Sequence, residues 1–335
     1  MYAPHDRLFE FTFRHAAHAA GWLRSVLPRG LAATVDWTGL APIRERFPGV
    51  RARPHLVDAA FVAPLRSGGR TLDLLLPVEH KSFGDPGLAL QLLRYSVHLQ
   101  RALQSEPGHP PPVLAVVLRH GPTPARPAPG TALPPGLRPF QPRQRIVTDD
   151  LTACSEDDLA RRGLSPLAEL TLLCLRHLPH AAPAGVPAAF ERWQHLLRAV
   201  DATAAPPFAP PLGADAIDAI GWYALAATDV ESLQLAETFA RILHRDPRSI
   251  MSTLERTFQA GVRKGHEAGK AEGKAEGTNE GHAHALLLQL AHRFGPLDAA
   301  VTARIRAGSR GELDRWTRRV LDAATIAGVF AEDAT

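Results

Sequence analysis

The chain has 335 residues, 45% of them hydrophobic and 21% charged, which is enough ordinary globular sequence for two or three domains. A net charge of +4, with 38 lysines and arginines and a pI near 9.4, favours phosphate-bearing partners. The two cysteines lack CxxC spacing, no apolar run reaches about 18 residues, and the N-terminus lacks a signal-peptide pattern; a disulfide framework and a membrane span are therefore excluded and a cytoplasmic protein is expected.

The first predicted element is a helix over residues 5–27. Its apolar residues recur at mixed spacings of three and four, and Pro28 and Gly30 end the pattern. The acidic residues Asp6 and Glu10 lie near its start, where a helix N-terminus favours negative charge. Residues 36–53 are predicted to form a loop or short turns. Its arginines would suit a nucleic-acid backbone or simply form a solvated basic loop: Arg44, Arg46, Arg51 and Arg53.

A β-hairpin is predicted over residues 55–82. Two apolar segments flank Gly68-Gly69, and such a glycine pair favours a tight two-residue turn because both positions need positive φ. With these two residues as the turn, the numbers of paired residues sum to 137, so Asp58 faces Glu79. Side chains alternate along a strand, and Lys81 therefore points to the same face as Glu79.

The charged residues of this hairpin lie in an otherwise apolar sequence. Strands that are apolar on both faces are typical of a sheet covered on both sides. A carboxylate buried there must be paired or bind a metal, so Asp58 and Glu79 require a cation in addition to Lys81. His80 points to the opposite face and is assigned a structural role. The alternative for Asp58, Glu79 and Lys81 is a buried salt-bridge cluster that holds no metal.

Two further elements complete a minimal α/β core. Leu88, Leu92, Tyr95, Leu99 and Leu103 have helical spacing, and this helix follows the Glu79 strand directly. The apolar run over residues 113–118 is typical of a buried strand, and a right-handed crossover would make that strand parallel to the Glu79 strand.

The remainder of the chain divides by composition. Residues 122–148 form a Pro-rich connector, and residues 149–258 have helical patterns, including 166–178, 187–201 and 228–244. Residues 259–281 carry glycine at every fourth position, which indicates a linker or an exposed helix that orders on self-association. Residues 282–335 resume a helical pattern in which Ser309 and Glu312 form a capping box. These last two segments are candidates for a homo-oligomer interface.

The order of motifs in residues 1–121 resembles a known family. Asp58, followed about twenty residues later by Glu79-His80-Lys81, is similar to the PD-(D/E)XK nuclease signature. Residues 5–9 (HDRLF), Asp36-Trp37, the Glu79 strand end and residues 93–95 (LRY) together resemble the recombination-promoting nuclease, or YhgA-like transposase, branch. The glycine repeat and closing helices also resemble the small C-terminal domain that often follows these nucleases. Members of the branch often have glutamine where this chain has Lys81, so the difference is toward the wider superfamily pattern.

The resemblance implies a restriction-endonuclease-like α/β fold with a helical C-terminal region. It implies that Asp58 and Glu79 bind Mg²⁺ or Mn²⁺, with the His80 carbonyl as a third ligand, and that Lys81 orients or deprotonates water or stabilises charge on the phosphate. The first helix of the superfamily can supply a further ligand, here Glu10 or Asp6. Gln91 and Tyr95 have a QxxxY spacing that lies beside the metal in some related nucleases, although a tyrosine in an apolar stripe is more often core.

The function implied is a metal-dependent DNA endonuclease linked to recombination or mobile DNA. Phosphate contacts are expected from Arg51, Arg53 and Arg94. The alternative is an inactive DNA-binding or protein-interaction module of the same fold. A DDE transposase would need a third, widely separated carboxylate, for which the sequence offers no convincing candidate.

Overall fold

The computed structural model describes residues 4–43, 57–104, 109–121, 136–137, 144–202, 213–251 and 281–330. Contacts divide the chain into two compact units, one of Tyr2–Gln259 and one of Ala260–Thr335 with Met1. None of the described helices is both long enough and apolar enough to cross a bilayer.

The larger unit begins with helices and a five-stranded sheet. In chain order these are α1 (Pro4–Phe13), α2 (Ala16–Val26), α3 (Arg29–Ala32), a 3-10 turn (Trp37–Gly39), β1 (Ala41–Pro42), β2 (Ala59–Ser67), β3 (Arg70–Lys81), α4 (Leu88–Leu103), β4 (Ala115–Arg119) and β5 (Ile146–Asp150). Helices continue in the described residues that follow: α5 (Glu156–Ala160), α6 (Pro166–His177), α7 (Gly185–Arg192), α8 (Gln194–Asp201), α9 (Gly213–Ala227) and α10 (Ser232–Leu243). Short 3-10 turns cover Leu151–Ala153 and Leu178–His180, and residues 247–251 are helical.

The sheet has the strand order β1-β2-β3-β4-β5. The β2–β3 hairpin is antiparallel with Ala59 opposite Val78, which confirms the predicted register, and Gly68 and Gly69 form its turn with φ of 56° and 77°. β4 lies parallel to β3 after the α4 crossover, as predicted, and β5 extends the parallel half. The mixed α/β class is confirmed.

β5 is a strand that the sequence analysis did not predict. It lies where the Pro-rich connector and the helical patterns meet, and it pairs with β4 over residues 146–150. Asp149 in this strand is 5% exposed and accepts hydrogen bonds from Trp22 Nε1 (2.8 Å) and from both terminal nitrogens of Arg162 (2.7 and 2.9 Å). Such partners make burial of a carboxylate tolerable, and they come from sequence positions too distant for a local pattern to reveal.

The helix predicted over 5–27 is divided in two. Arg14 and His15 separate α1 from α2, and His15 has the extended conformation of an N-cap (φ −93°, ψ 122°). The break allows the Trp22 ring to lie 5.0 Å from that of Phe13 and 6.0 Å from that of Phe9. Aromatic packing across the break therefore stabilises two short helices over one long one.

Helices cover both faces of the sheet. Alternate β3 residues Leu74, Leu76 and Val78 join one large core with α1, α2 and α6–α10, while Leu75 packs on the other face with Tyr95 and other residues of α4. The predicted helices over 166–178 and 228–244 are confirmed as α6 and α10. The predicted helix over 187–201 is divided at Trp193 into α7 and α8.

The smaller unit is helical throughout its described part. Residues 281–294 are helical and are followed by α11 (Ala299–Arg306), α12 (Arg310–Arg319) and α13 (Ile326–Val329). The helices enclose their own core, formed by Leu286, Leu290, Ile305, Leu313, Trp316, Val320 and Val329. Glu312 accepts from the Ser309 N–H (2.8 Å) and hydroxyl (2.6 Å), which confirms the predicted cap. The glycine repeat before residue 281 lies outside the described residues.

Candidate active site

The two central carboxylates meet at one end of the hairpin. Asp58 directly precedes β2, and because Ala59 is opposite Val78, continuation of the register places Asp58 beside Glu79. Asp58 Oδ2 accepts a hydrogen bond from the His80 N–H at 2.6 Å. The β3 backbone therefore holds the Asp58 carboxyl group in position next to Glu79.

Glu79 is the most buried member of the group, with a side chain 6% exposed. Its Oε1 lies 2.9 Å from Lys81 Nζ and 3.1 Å from Gln91 Nε2. Lys81 Nζ also lies 3.2 Å from Asp85 Oδ2. Glu79 and Lys81 of β3 and Gln91 of α4 therefore meet on the face of the sheet that α4 covers. Side-chain alternation along the strand predicts this for Glu79 and Lys81.

Burial shifts the pKa values of the two carboxyl groups, and neighbouring charges modify each shift. Burial raises the pKa of Asp58 to about 7, and the charges of Glu79, Asp6 and Glu10 add to the rise while the His80 N–H opposes it. Burial also raises the pKa of Glu79, although the Lys81 hydrogen bond and charge offset part of that rise. The charges of Asp6 and Glu10 on α1 therefore influence Asp58.

Lys81 is held in its charged form. Burial alone would lower the pKa of Lys81, but its hydrogen bonds and ion pairs with Glu79 and Asp85 outweigh burial and raise it. The side chain is 17% exposed, so the ammonium group retains access to solvent. A protonated Lys81 can donate hydrogen bonds and stabilise negative charge.

His80 lies on the opposite face of the sheet, as predicted. Its ring stacks between those of Phe9 and His120, each 4.9 Å away, and its Nδ1 lies 2.9 Å from Asp6 Oδ1. Burial, followed by the neighbouring histidines, lowers the pKa of His120 to about 3. These contacts attach α1 to β3 directly behind Glu79, so α1 positions the strand that carries the site.

The residues fit a hard divalent cation held by few protein ligands. Glu79 Oε2 is buried and has no hydrogen-bond partner among the described residues, and Asp58 is a neighbouring carboxyl whose negative form is disfavoured without a cation. Within the described ranges, no three His, Cys, Asp or Glu side chains are arranged to hold a metal by themselves. Mg²⁺ commonly binds through one or two carboxylates and keeps several waters, so the arrangement suits Mg²⁺ better than a metal that needs a closed protein cage.

The other predicted site residues lie at different distances from this centre. Gln91 contacts Glu79, whereas Tyr95 is 1% exposed and packs in the core with Leu75. Arg94 is exposed on α4 and lines an open pocket against the helix. Arg51 and Arg53, together with Arg44 and Arg46, lie outside the described residues.

Two contributions to the site were not identified from the sequence. Asp85 pairs with Lys81, and the four-residue separation was the only signal for it. Arg119 lies beside Lys81 in the sheet and pairs with Asp150 of β5. These three charged residues therefore form a row across β3, β4 and β5. Because β5 itself was not predicted, the sequence could not reveal this row.

Comparison with known proteins identifies a matching family. A family described as "Putative transposase, YhgA-like" matches residues 3–205, which include the sheet, the site and helices α1–α8. No curated protein and no solved structure matches the chain.

Proposed function

This chain belongs to the YhgA-like transposase family, and from that membership we propose that it is a metal-dependent endonuclease that hydrolyses phosphodiester bonds in DNA. The family description associates the chain with mobile DNA, and cleavage of DNA strands is the reaction that such a role requires. We also propose that the protein acts in the cytoplasm, where it would have access to DNA.

The observation that carries the proposal is the convergence of Asp58, Glu79 and Lys81. Two carboxyl groups with raised pKa values lie side by side. Glu79 Oε2 is buried without a hydrogen-bond partner among the described residues, and Lys81 Nζ lies 2.9 Å from Glu79 Oε1. In a purely structural salt bridge, each buried charge usually has a partner of the opposite charge. Here the two carboxyl groups outnumber the cations that lie next to Glu79, which favours the addition of a divalent ion.

Each residue of the site has a proposed role. Asp58 and Glu79 would hold Mg²⁺ or Mn²⁺, which when bound neutralises charge on the phosphate oxygens and activates water. Lys81 would donate a hydrogen bond to the attacked phosphate or to the water. Its raised pKa favours this cationic role over that of a general base. Gln91 holds the Glu79 carboxylate in orientation through their 3.1 Å hydrogen bond.

Further residues would extend the site toward the metal and the DNA. Glu10 would act through its negative charge on Asp58, or as an additional ligand by way of water. Tyr95 would support α4 from the core, and Arg51, Arg53 and Arg94 would contact DNA phosphates. Self-association through the glycine repeat or the C-terminal helices belongs to the same proposal.

The test is cleavage of supercoiled plasmid by the full-length protein with Mg²⁺, Mn²⁺ or EDTA. We expect nicked and linear products only with a divalent ion. Asp58→Asn and Glu79→Gln should lower the rate at least a thousandfold, and Lys81→Met about a hundredfold or more. Asp73→Asn is the matched control, since Asp73 lies on the same strand about 20 Å from Glu79. Metal-independent cleavage, or full activity of Asp58→Asn, would contradict the proposal.

A second candidate function is an inactive DNA-binding module of the same fold. Lys81 already pairs with both Glu79 and Asp85, which is also what a metal-free structural cluster would show. In that case the purified protein binds DNA but no divalent ion produces cleavage, and Mg²⁺ does not raise its melting temperature.

A further inference from the structure

One face of α4 carries alternating apolar and basic residues that are exposed. Leu90 is 63% and Val97 47% exposed, and Arg94 and Arg101 are exposed as well. Their spacing of three and four residues places them in one line along the helix. A solvated helix face usually mixes charges of both signs, so this pattern requires an explanation.

The charge of this face is of one sign. α4 contains arginine and histidine but no aspartate or glutamate over Leu88–Leu103. An open pocket of about 670 Å³ lies against the helix, and its lining among the described residues is Leu93, Arg94, Val97, His98, Arg101 and Ala102. Such a surface is complementary to a polyanion that also presents apolar faces.

Phe83 adds an aromatic ring beside the site. It is 65% exposed and lies two residues after Lys81. Its loop is held at both ends: Asp85 pairs with Lys81 and accepts from the Gly87 N–H at 2.8 Å, and the Ser82 backbone packs against Gly121. An exposed aromatic on an anchored loop is available for stacking without a large ordering cost.

The exposed line begins at Leu90, which is next in the chain to the residue of α4 that contacts the candidate active site. Gln91, in the first turn of α4, contacts Glu79, and the line from Leu90 to Arg101 then extends about 16 Å along the helix. We call Phe83 and the line Leu90, Arg94, Val97 and Arg101 the α4 track.

We propose that the α4 track binds a single strand of DNA, so that the protein engages unpaired DNA in preference to intact duplex DNA. Proteins that bind single strands combine cationic contacts to phosphates with aromatic and apolar contacts to base faces. A duplex keeps its base faces stacked, and it would leave Phe83, Leu90 and Val97 without partners. The inference names the substrate class of the proposed nuclease and rests on that proposal for its biological meaning.

The test measures DNA binding without cleavage. Fluorescence anisotropy of the full-length protein in EDTA compares a fluorescent oligothymidylate of 20 nucleotides with a 20-base-pair duplex, over a range of salt concentrations. We expect the single strand to bind at least tenfold more tightly. Phe83→Ala should weaken single-strand binding about tenfold with an unchanged salt dependence, since stacking is lost.

The basic residues have a different expected signature. The double variant Arg94→Ala, Arg101→Ala should weaken single-strand binding more than tenfold and reduce the slope of log affinity against log salt by about 1.4. The control is Arg66→Ala, Arg70→Ala, which removes the same charge at the exposed turn end of the hairpin, more than about 20 Å from Glu79. All four positions are exposed, so the variants should fold, as thermal melting will verify.

The outcomes separate this inference from the nuclease proposal. Equal or tighter duplex binding, or track variants that bind like the control, overturns the α4 track even if the protein cleaves plasmid. The track is also overturned if its variants instead convert a dimer to a monomer, because the face is then a protein interface. Single-strand binding that depends on Phe83 and the two arginines, in a protein that cleaves no DNA, supports the track and contradicts only the nuclease.

Discussion

Asp58 and Glu79 show how burial prepares a pair of carboxyl groups for a cation. Burial raises the pKa of both carboxyl groups, and the charge of Glu79 raises that of Asp58 further. Lys81 Nζ lies 2.9 Å from Glu79 Oε1 and compensates the negative charge of Glu79. Asp58 instead accepts a hydrogen bond from the backbone N–H of His80. Asp58 is therefore the residue whose charge depends most on a bound metal.

The raised pKa of Asp58 predicts how stability depends on pH. The folded-state value of about 7 exceeds the ordinary value of 3.8, so the unfolded chain releases this proton at lower pH than the folded protein does. The metal-free protein should lose stability as pH rises from about 4 to about 7, by on the order of 2 kcal/mol, and change little above that range. Thermal melting in EDTA between pH 4 and pH 9 measures this loss.

Asp58→Asn is the comparison for this prediction. The amide keeps an acceptor for the His80 N–H but carries no charge, so this variant should melt roughly 5 °C above the wild-type protein at pH 8 in EDTA and close to it at pH 4. Mg²⁺ should raise the melting temperature of the wild-type protein only. A variant that is less stable than the wild-type protein at pH 8 would show that the charge is compensated without metal.

At the scale of elements, the site depends on the joint between β3, the following loop and β4. Lys81 accepts through its backbone carbonyl from the His120 N–H (3.3 Å), and Gly121 then passes directly against Ser82. A Cβ atom at Gly121 would lie 1.6 Å from the Ser82 carbonyl oxygen. Because glycine has no side chain, the two backbones can approach closely at this position. Their contact holds Lys81 and Asp85 in place.

Gly121→Ala tests that joint. The added methyl group cannot be accommodated without a backbone shift, so we expect destabilisation of about 2 kcal/mol or more and a loss of DNA cleavage that exceeds the loss of stability. Thermal melting and plasmid cleavage measure the two effects. Gly185→Ala is the matched control, since nothing lies within 4 Å of its Cβ position, and it should be neutral or slightly stabilising. Equal behaviour of the two variants would contradict the proposed role of the joint.

At the scale of the whole molecule, two cores correspond to two units. The core of Tyr2–Gln259 joins the sheet with α1, α2 and α6–α10, whereas the described helices of the smaller unit enclose a separate core around Trp316. The division of residues 1–258 into nuclease core, connector and helical subdomain remains a prediction. Within the larger unit, the helices after residue 150 share the apolar core of the sheet.

Truncation after Gln259 tests the independence of the larger unit. Because this unit contains the entire site and its own core, the chain 1–259 should unfold cooperatively and keep Mg²⁺-dependent cleavage within about threefold of the full chain. Light scattering on both proteins tests the proposed self-association, which the truncation should abolish. An unfolded truncated chain would show that the smaller unit is required for stability.

Local sequence was sufficient for the hairpin and for the central pair of the site. Two glycines at the turn and a period of two along each strand specify the register, and that register alone places Asp58 beside Glu79 and Lys81 on the face of Glu79. The α4 crossover and the parallel β4 followed from spacing and from the handedness of such connections.

Only the tertiary structure decided the features that depend on distant partners. The break between α1 and α2 arises from packing of Trp22, β5 pairs across an intervening segment, and Asp6 reaches His80 from 74 residues away. The raised pKa of Asp58 likewise reflects desolvation by the assembled core, which no single stretch of sequence contains. Backbone turns and side-chain alternation are local properties, whereas burial and long-range pairing exist only after the chain has folded.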